Sequence, residues 1–406
     1  MEKIKNFISK YNLIALLILI FFCSLTYIFN GLRFTTSAGI IYRVIIAAII
    51  VLYLVLFTIS LKPKVSRPLI ILSITYIFTS IISIFVSPLI AKQEITLPQY
   101  LLGIFTVFSN VSSIYLFLES SKINENRLLE KLFILIFITS VIFMCFYTYI
   151  FQYKAIYKTL TDSYGWNYDV TSIFYEKTIY GFFLSTASIY CAFYSIKNNK
   201  YLLLLLILFF GINAFLSRNK TSILVIGLLI IVSVTILLKK HFSTKKSLCI
   251  ILLGSALGLI STLIILVAFL PGLSNIRYFV QTSILNDGLV VMKSRFAKWG
   301  GFLSCLNNPF NIIFGFGERI SRFVVTNNVT DNSFLYSLET GGIIKVALHL
   351  LLVLYLYKNG LLKKERVLRV ALISIILISC LFEDNNLFGF NVTALSLAPI
   401  AYSIFD

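Results

Sequence analysis

The sequence predicts an all-α, polytopic integral membrane protein, and three observations predict it. Of the 406 residues 59% are hydrophobic and only 13% charged, more apolar surface than a soluble domain of this size encloses. The apolar residues fall in long uncharged runs that match the thickness of a bilayer. Lysine and arginine collect in alternate connectors, the bias that orients membrane chains. The net charge of +19 has no basic globular domain to sit on. Membrane lipids are therefore expected partners and nucleic acid is not.

Runs of about 20 apolar residues predict about 12 transmembrane helices, near 11–29, 38–60, 68–90, 99–118, 129–151, 178–196, 201–216, 221–238, 247–270, 333–357, 366–382 and 387–404. The first has a basic start, "MEKIKNFISK", but it is long enough to span and lacks a small-residue cleavage site, so it is expected to stay as an anchor. One set of connectors, from Lys3 to Arg369, holds 20 of the 35 basic residues. The positive-inside rule makes that side cytoplasmic and puts both termini there. The whole chain, 1–406, reads as a single polytopic membrane domain.

Two outer segments break this economy of charge. The loop 152–177 is aromatic, with "YGWNYD" at its centre. The large outer loop, 271–332, carries Arg277, Lys293, Arg295, Lys298, Arg319 and Arg322, and "FLSRNKTS" places Arg218 and Lys220 on the same side. Basic residues there oppose the orientation signal, and an anionic ligand would keep them. Guanidinium binds phosphate bidentately and holds its charge in a partly dry site. Snorkelling toward headgroups is the plain alternative for Arg218. On position alone Lys220, Arg277, Lys298 and Arg322 read as ordinary surface charges.

Within the large loop, 286–310 reads as an amphipathic helix on the membrane surface. Its apolar face carries Leu289, Met292, Phe296, Trp299 and Leu303, and Asn308-Pro309 ends it. Gly315 and Gly317 permit a tight backbone path. Asp331 or Asn332 is the expected N-cap of the tenth span. Glu339 and Lys345 lie inside that span, where ionisable residues are functional candidates, and their six-residue spacing puts them on different faces of a helix. The six cysteines have no metal or redox spacing and read as small hydrophobes. The three Asn-x-Ser/Thr sequons, at Asn219, Asn328 and Asn391, read as chance.

The order of these motifs resembles the O-antigen polymerase and O-antigen ligase superfamily (Wzy-like proteins). The matching elements are Ser217-Arg218 in a short outer loop, Arg295 with Trp299, Pro309, Gly315-Phe316-Gly317, and "DNSFLYSLETGG" opening the tenth span. The likeness covers about the second half of the chain. It implies a GT-C-like, metal-independent glycosyltransferase with no cofactor, acting at the outer, periplasmic face of the bacterial cytoplasmic (inner) membrane. Donor and acceptor would be glycans on undecaprenyl diphosphate, built into the O-antigen of lipopolysaccharide, a capsule or an exopolysaccharide, with a chain-length regulator protein as a further partner. By the same resemblance Arg218 and Arg295 hold the donor diphosphate and stabilise the charge that builds as its bond breaks. Lys298, Trp299, Arg319, Arg322, Asn332 and Tyr336 line the substrate site.

The chain departs from the family in two places. Asp331 stands where ligases place a histidine, which favours a polymerase over an O-antigen ligase. Asp331 and Glu339 are then the candidates to accept the acceptor's proton, Asp331 serving equally as a helix cap. "EKTIYG", from Glu176 to Gly181, replaces an expected Asn-containing stretch. A reading from another class is a lipid-linked oligosaccharide flippase or transporter, which predicts charges along a central path. A scaffold protein is a third reading, in which single arginines are dispensable.

Overall fold

The computed structural model describes residues 2–32, 36–61, 67–120, 127–161, 170–241, 287–306, 308–321, 332–362, 365–383 and 391–402. Fourteen helices account for nearly all of them: α1 (Glu2–Ile28), α2 (Ser37–Leu61), α3 (Arg67–Ala91), α4 (Leu97–Ser120), α5 (Arg127–Phe151), α6 (Tyr153–Thr161), α7 (Lys177–Asn198), α8 (Leu204–Leu216), α9 (Lys220–His241), α10 (Asp287–Ser304), α11 (Pro309–Phe314), α12 (Ser333–Leu362), α13 (Arg366–Cys380) and α14 (Val392–Ala401). Five of these, α3, α5, α7, α9 and α12, contain stretches long and apolar enough to cross a membrane, and shorter apolar helices accompany them. This all-α architecture fits a polytopic membrane protein. Every predicted span falls on a helix except 247–270, which lies outside the described residues, as does "YGWNYD".

Helix α3 shows how the sequence builds for lipid. Ser73, Tyr76, Ser80, Ser83 and Ser87 recur at three- and four-residue spacing and are all buried, while Ile71, Ile74, Phe78 and Phe85 face outward. A soluble helix turns its apolar stripe inward. Here the hydrocarbon goes out to an apolar solvent, and small polar residues let helices approach and bond to each other. The same logic brings α4 against α2, where Ser109 donates to the Ala47 carbonyl at 3.2 Å.

The chain divides into two compact units. The first comprises 1–135 and 295–406. In it α2 and α3 both pack on α4, α12 packs on α3, α11 and α13, and α14 touches α1 and α13. The second comprises 136–294 and is organised around α7, buried along most of its length, with α8 and α9 packed on it and on each other. In that unit Phe183 stacks on Phe137 and Phe174, and Tyr180 donates to Asn213 Oδ1 at 3.0 Å.

Three local expectations are corrected. The segment after α5 is not all loop: Tyr153, Ile156, Tyr157 and Leu160 have helical spacing and form α6. Gln152 then pins the returning chain, accepting from the amides of Thr171 and Ser172 and donating to the Ser172 carbonyl at 2.7 Å. Asn308-Pro309 starts a helix rather than ending one. Asn308 accepts from the Phe310 amide at 2.9 Å and proline occupies the first turn of α11, where its missing N–H costs nothing. Arg369, counted above with a cytoplasmic connector, is 1% exposed inside α13. The outer-loop helix is present as α10. Phe302, which the expected apolar face omits, is the side chain that docks, against Phe316, while Phe296 and Leu303 stay exposed.

Small residues at helix contacts should therefore be intolerant of growth. A Cβ on Gly103 would lie 2.9 Å from the Glu318 carbonyl oxygen, whereas one on Gly227 in α9 would meet nothing within 4 Å. Gly103→Ala is expected to destabilise by about 1–3 kcal/mol. Gly227→Ala should be neutral or stabilise by up to about 1 kcal/mol. Thermal unfolding of the detergent-solubilised variants reads both.

Candidate functional site

The first polar centre forms where α12 breaks. Gly342 has φ 63° and ψ −163°, which no helix allows. In an unbroken helix the carbonyls of Glu339 and Thr340 would accept from amides four residues on. Here the Phe316 amide donates to the Glu339 carbonyl at 2.7 Å and the Gly317 amide to the Thr340 carbonyl at 3.1 Å. The Gly315 carbonyl in turn accepts from Ser83 Oγ at 2.7 Å. Buried non-helical backbone requires such partners, because an unpaired buried amide or carbonyl is costly. Glycine is required on both sides of the contact. A Cβ on Gly315 would sit 2.6 Å from the amide nitrogens of Gly341 and Gly342, and one on Gly342 would overlap the Ile313 carbonyl.

The loop so placed delivers Glu318 to Lys345. The two form a buried ion pair, each side chain at most 2% exposed. Tyr76 donates to Glu318 Oε1 at 2.7 Å, and Asn110 Nδ2 to the same oxygen at 3.2 Å. Lys345 also donates to Thr340 Oγ1 at 2.7 Å. Its Nζ lies 5.2 Å and 5.8 Å from the ring centroids of Tyr336 and Tyr76, within the range of cation–π attraction. Burial alone would raise the Glu318 carboxyl. The Lys345 charge, hydrogen bonds from Lys345 and Tyr76, and the Arg319 charge outweigh it and hold the group below its ordinary 4.5.

The second centre is the turn between α8 and α9. Ser217 is the C-cap of α8. The Arg218 amide bonds to the Phe215 carbonyl at 3.0 Å and the Asn219 amide to the Ala214 carbonyl at 3.3 Å. This is the Schellman pattern, whose residue after the cap is left-handed and commonly glycine. In this chain it is Arg218, with φ 53°. Asn219 immediately caps α9, its Oδ1 accepting from the Ser222 amide and hydroxyl, both at 2.9 Å. Three residues thus end one apolar helix and begin the next, and the guanidinium is carried at the point of reversal.

The sequence-predicted site residues divide among these places. Tyr336, Glu339 and Arg319 belong to the first centre, all buried, with Arg319 left-handed at φ 63°. Asn332 caps α12, accepting from the amides of Phe334 and Leu335 at 2.9 and 3.1 Å, and so takes the capping role considered for Asp331. Lys298 and Trp299 are half-buried on α10, the Trp299 ring edge-on to Phe296 at 5.2 Å. Arg322, Asp331 and the side chain of Arg295 lie outside the described residues. Among the described residues no group of three or more His, Cys, Asp or Glu is placed to hold a metal ion. Comparison with protein-family models, curated proteins and solved structures finds no match.

Sequence reasoning missed Glu318, Tyr76 and Asn110. A signal existed for the first: Lys345 inside an apolar helix requires a counter-charge, and Glu318 is a lone carboxylate in "IIFGFGERI". Removing either partner strands a buried charge. Glu318→Gln and Lys345→Met should each destabilise the protein by about 3–5 kcal/mol, with the double variant recovering most of the loss. Because the folded carboxyl titrates below its ordinary 4.5, its contribution is complete at neutral pH and is lost as pH falls below that value. Unfolding of wild type and Glu318→Gln followed from neutral to acid pH should show the two converging only in acid.

Proposed function

We propose that the protein is a membrane glycosyltransferase that polymerises undecaprenyl-diphosphate-linked repeat units into O-antigen, capsular polysaccharide or exopolysaccharide. The outer face of the bacterial cytoplasmic membrane is the site of reaction in this reading, with both termini cytoplasmic. The observation that carries it is Arg218, a cation held in left-handed backbone, as Arg319 also is, and set in a three-residue turn between two apolar helices. Outliers of that kind collect at functional sites because the surrounding structure has to enforce them. The motif order described above supplies the reaction.

In that reaction the donor's anomeric carbon loses its bond to a diphosphate oxygen and gains one to the acceptor's hydroxyl oxygen. The hydroxyl proton passes to a carboxylate, and undecaprenyl diphosphate leaves. Arg218 and Arg295 neutralise the charge growing on the leaving diphosphate. Lys298, Trp299, Arg319, Arg322, Asn332 and Tyr336 are the further residues this reading assigns to donor and acceptor. Of the two base candidates, Glu339 is fully buried, which favours Asp331. A second reading, a lipid-linked oligosaccharide transporter, draws on the broken α12 and its buried Lys345–Glu318 pair, since discontinuous helices with intramembrane charges are how transporters build their sites.

The test is surface glycan length in a deletion strain complemented with wild type, Arg218→Ala, Arg218→Gly or Arg295→Ala at equal membrane abundance. Wild type should give polymeric ladders and every variant a single capped repeat unit. Arg218→Gly is the informative control. Glycine suits the left-handed turn better than arginine, so its loss of polymer reports the guanidinium and not the backbone. Full ladders from all variants would return the arginines to surface charge. Loss of all surface glycan, single units included, would favour the transporter or an O-antigen ligase.

A further inference from the structure

Arg218 leaves the polypeptide at a turn whose geometry is set by its neighbour. The Asn219 amide closes the Schellman turn onto the Ala214 carbonyl, and its side chain caps α9 through Ser222. Asn219 is 6% exposed and Ser222 3%. Its Nδ2 reaches toward α7, lying 3.5 and 3.4 Å from the carbonyls of Lys177 and Thr178. This contact exists because residue 181 is glycine. A Cβ there would stand 2.5 Å from Asn219 Cγ and 2.6 Å from Ser222 Oγ. The stretch "EKTIYG" that departs from the family pattern is thus the surface against which the arginine turn is seated.

We infer that Asn219 is a positioning residue for Arg218, acting with Ser222 and with the clearance at Gly181. The left-handed φ of Arg218 is unfavourable for any side chain except glycine's hydrogen and, to a lesser degree, Asn or Asp. It persists because the next residue is fixed from three sides: behind by α8, ahead by the first turn of α9, and laterally by α7. Loss of the Asn219 side chain removes the second and third restraints. The turn is then free to relax out of the left-handed region, redirecting the guanidinium while leaving both helices largely intact. This rests on the reading of Arg218 as the phosphate-binding group.

The experiment compares glycan length and melting temperature for wild type, Arg218→Ala, Asn219→Ala, Asn219→Ser and Asn391→Ala. Serine keeps a capping oxygen. Asn391 caps α14, accepting from the Ala394 amide at 2.8 Å, so its alanine variant loses an equivalent cap away from the arginine turn. Expected are short glycans from Arg218→Ala and Asn219→Ala, long glycans from Asn219→Ser and Asn391→Ala, and similar falls in melting temperature for the two cap-to-alanine variants. Full-length glycan from Asn219→Ala, with Arg218→Ala short, would overturn the positioning role and leave the reading of Arg218 standing. Equal shortening by Asn391→Ala would reduce the effect to general instability and overturn it too. Full-length glycan from Arg218→Ala would remove both.

Discussion

The first unit depends on one buried charge, Lys345, meeting its opposite. Lys345 sits in a helix that presses against other helices, where an ammonium has no water to turn to. Glu318 answers it from a loop, and the carboxylate that neutralises Lys345 also receives Tyr76 of α3 and Asn110 of α4. One oxygen atom therefore ties three helices and a connecting segment together. The break at Gly342 is part of the same solution, since it lets α12 offer two carbonyls to the loop that carries the glutamate. Hydrogen bonds and close packing here do what the hydrophobic effect cannot do among helices that touch hydrocarbon on one side and each other on the other.

Both polar centres use left-handed backbone, and each places an arginine on it, Arg319 in the first and Arg218 in the second. At the α12 break, Gly315 and Gly342 stand where a Cβ would run into the facing main chain. At the α8–α9 turn, the chain adopts a glycine-like conformation and yet carries the largest cationic side chain. The first arrangement is explained fully by packing. The turn is seated by its neighbours too, and the guanidinium it carries is the group a lipid diphosphate would meet under the proposed function.

Most of the helices were legible because a bilayer imposes a length on them, and twenty apolar residues with few charges have little else to become. Capping was only half legible. Asn308-Pro309 carries the right residues for a helix boundary but does not say which side the helix is on. Asn219 and Asn391, noticed as glycosylation sequons, are helix N-caps, since asparagine followed by a threonine or serine also suits a helix start. The pairing of Lys345 was out of reach for a helical-wheel argument, which assumes an unbroken helix through Gly342. Its partners lie 27 residues away at Glu318, and the tyrosine on that carboxylate is 242 residues from it. Such identities are set by which helices become neighbours. The arginine of the turn was legible by its charge alone; its left-handed backbone was not, because nothing in "SRN" distinguishes that conformation from an ordinary bend.

The borrowed carbonyls of α12 have a consequence for biosynthesis. A helix that satisfies its own backbone can enter a bilayer alone, whereas one whose middle carbonyls point elsewhere arrives with unmet polar groups. The amides that meet them, on Phe316 and Gly317, are translated before α12, and the serines that seat the loop, on α3, much earlier still. Each waits for the next. It follows that α12 completes its insertion only as part of a group, after α3 and α4 have come together to receive the loop, so the last of the five long apolar helices among the described residues is also the step that commits the first unit to its final arrangement.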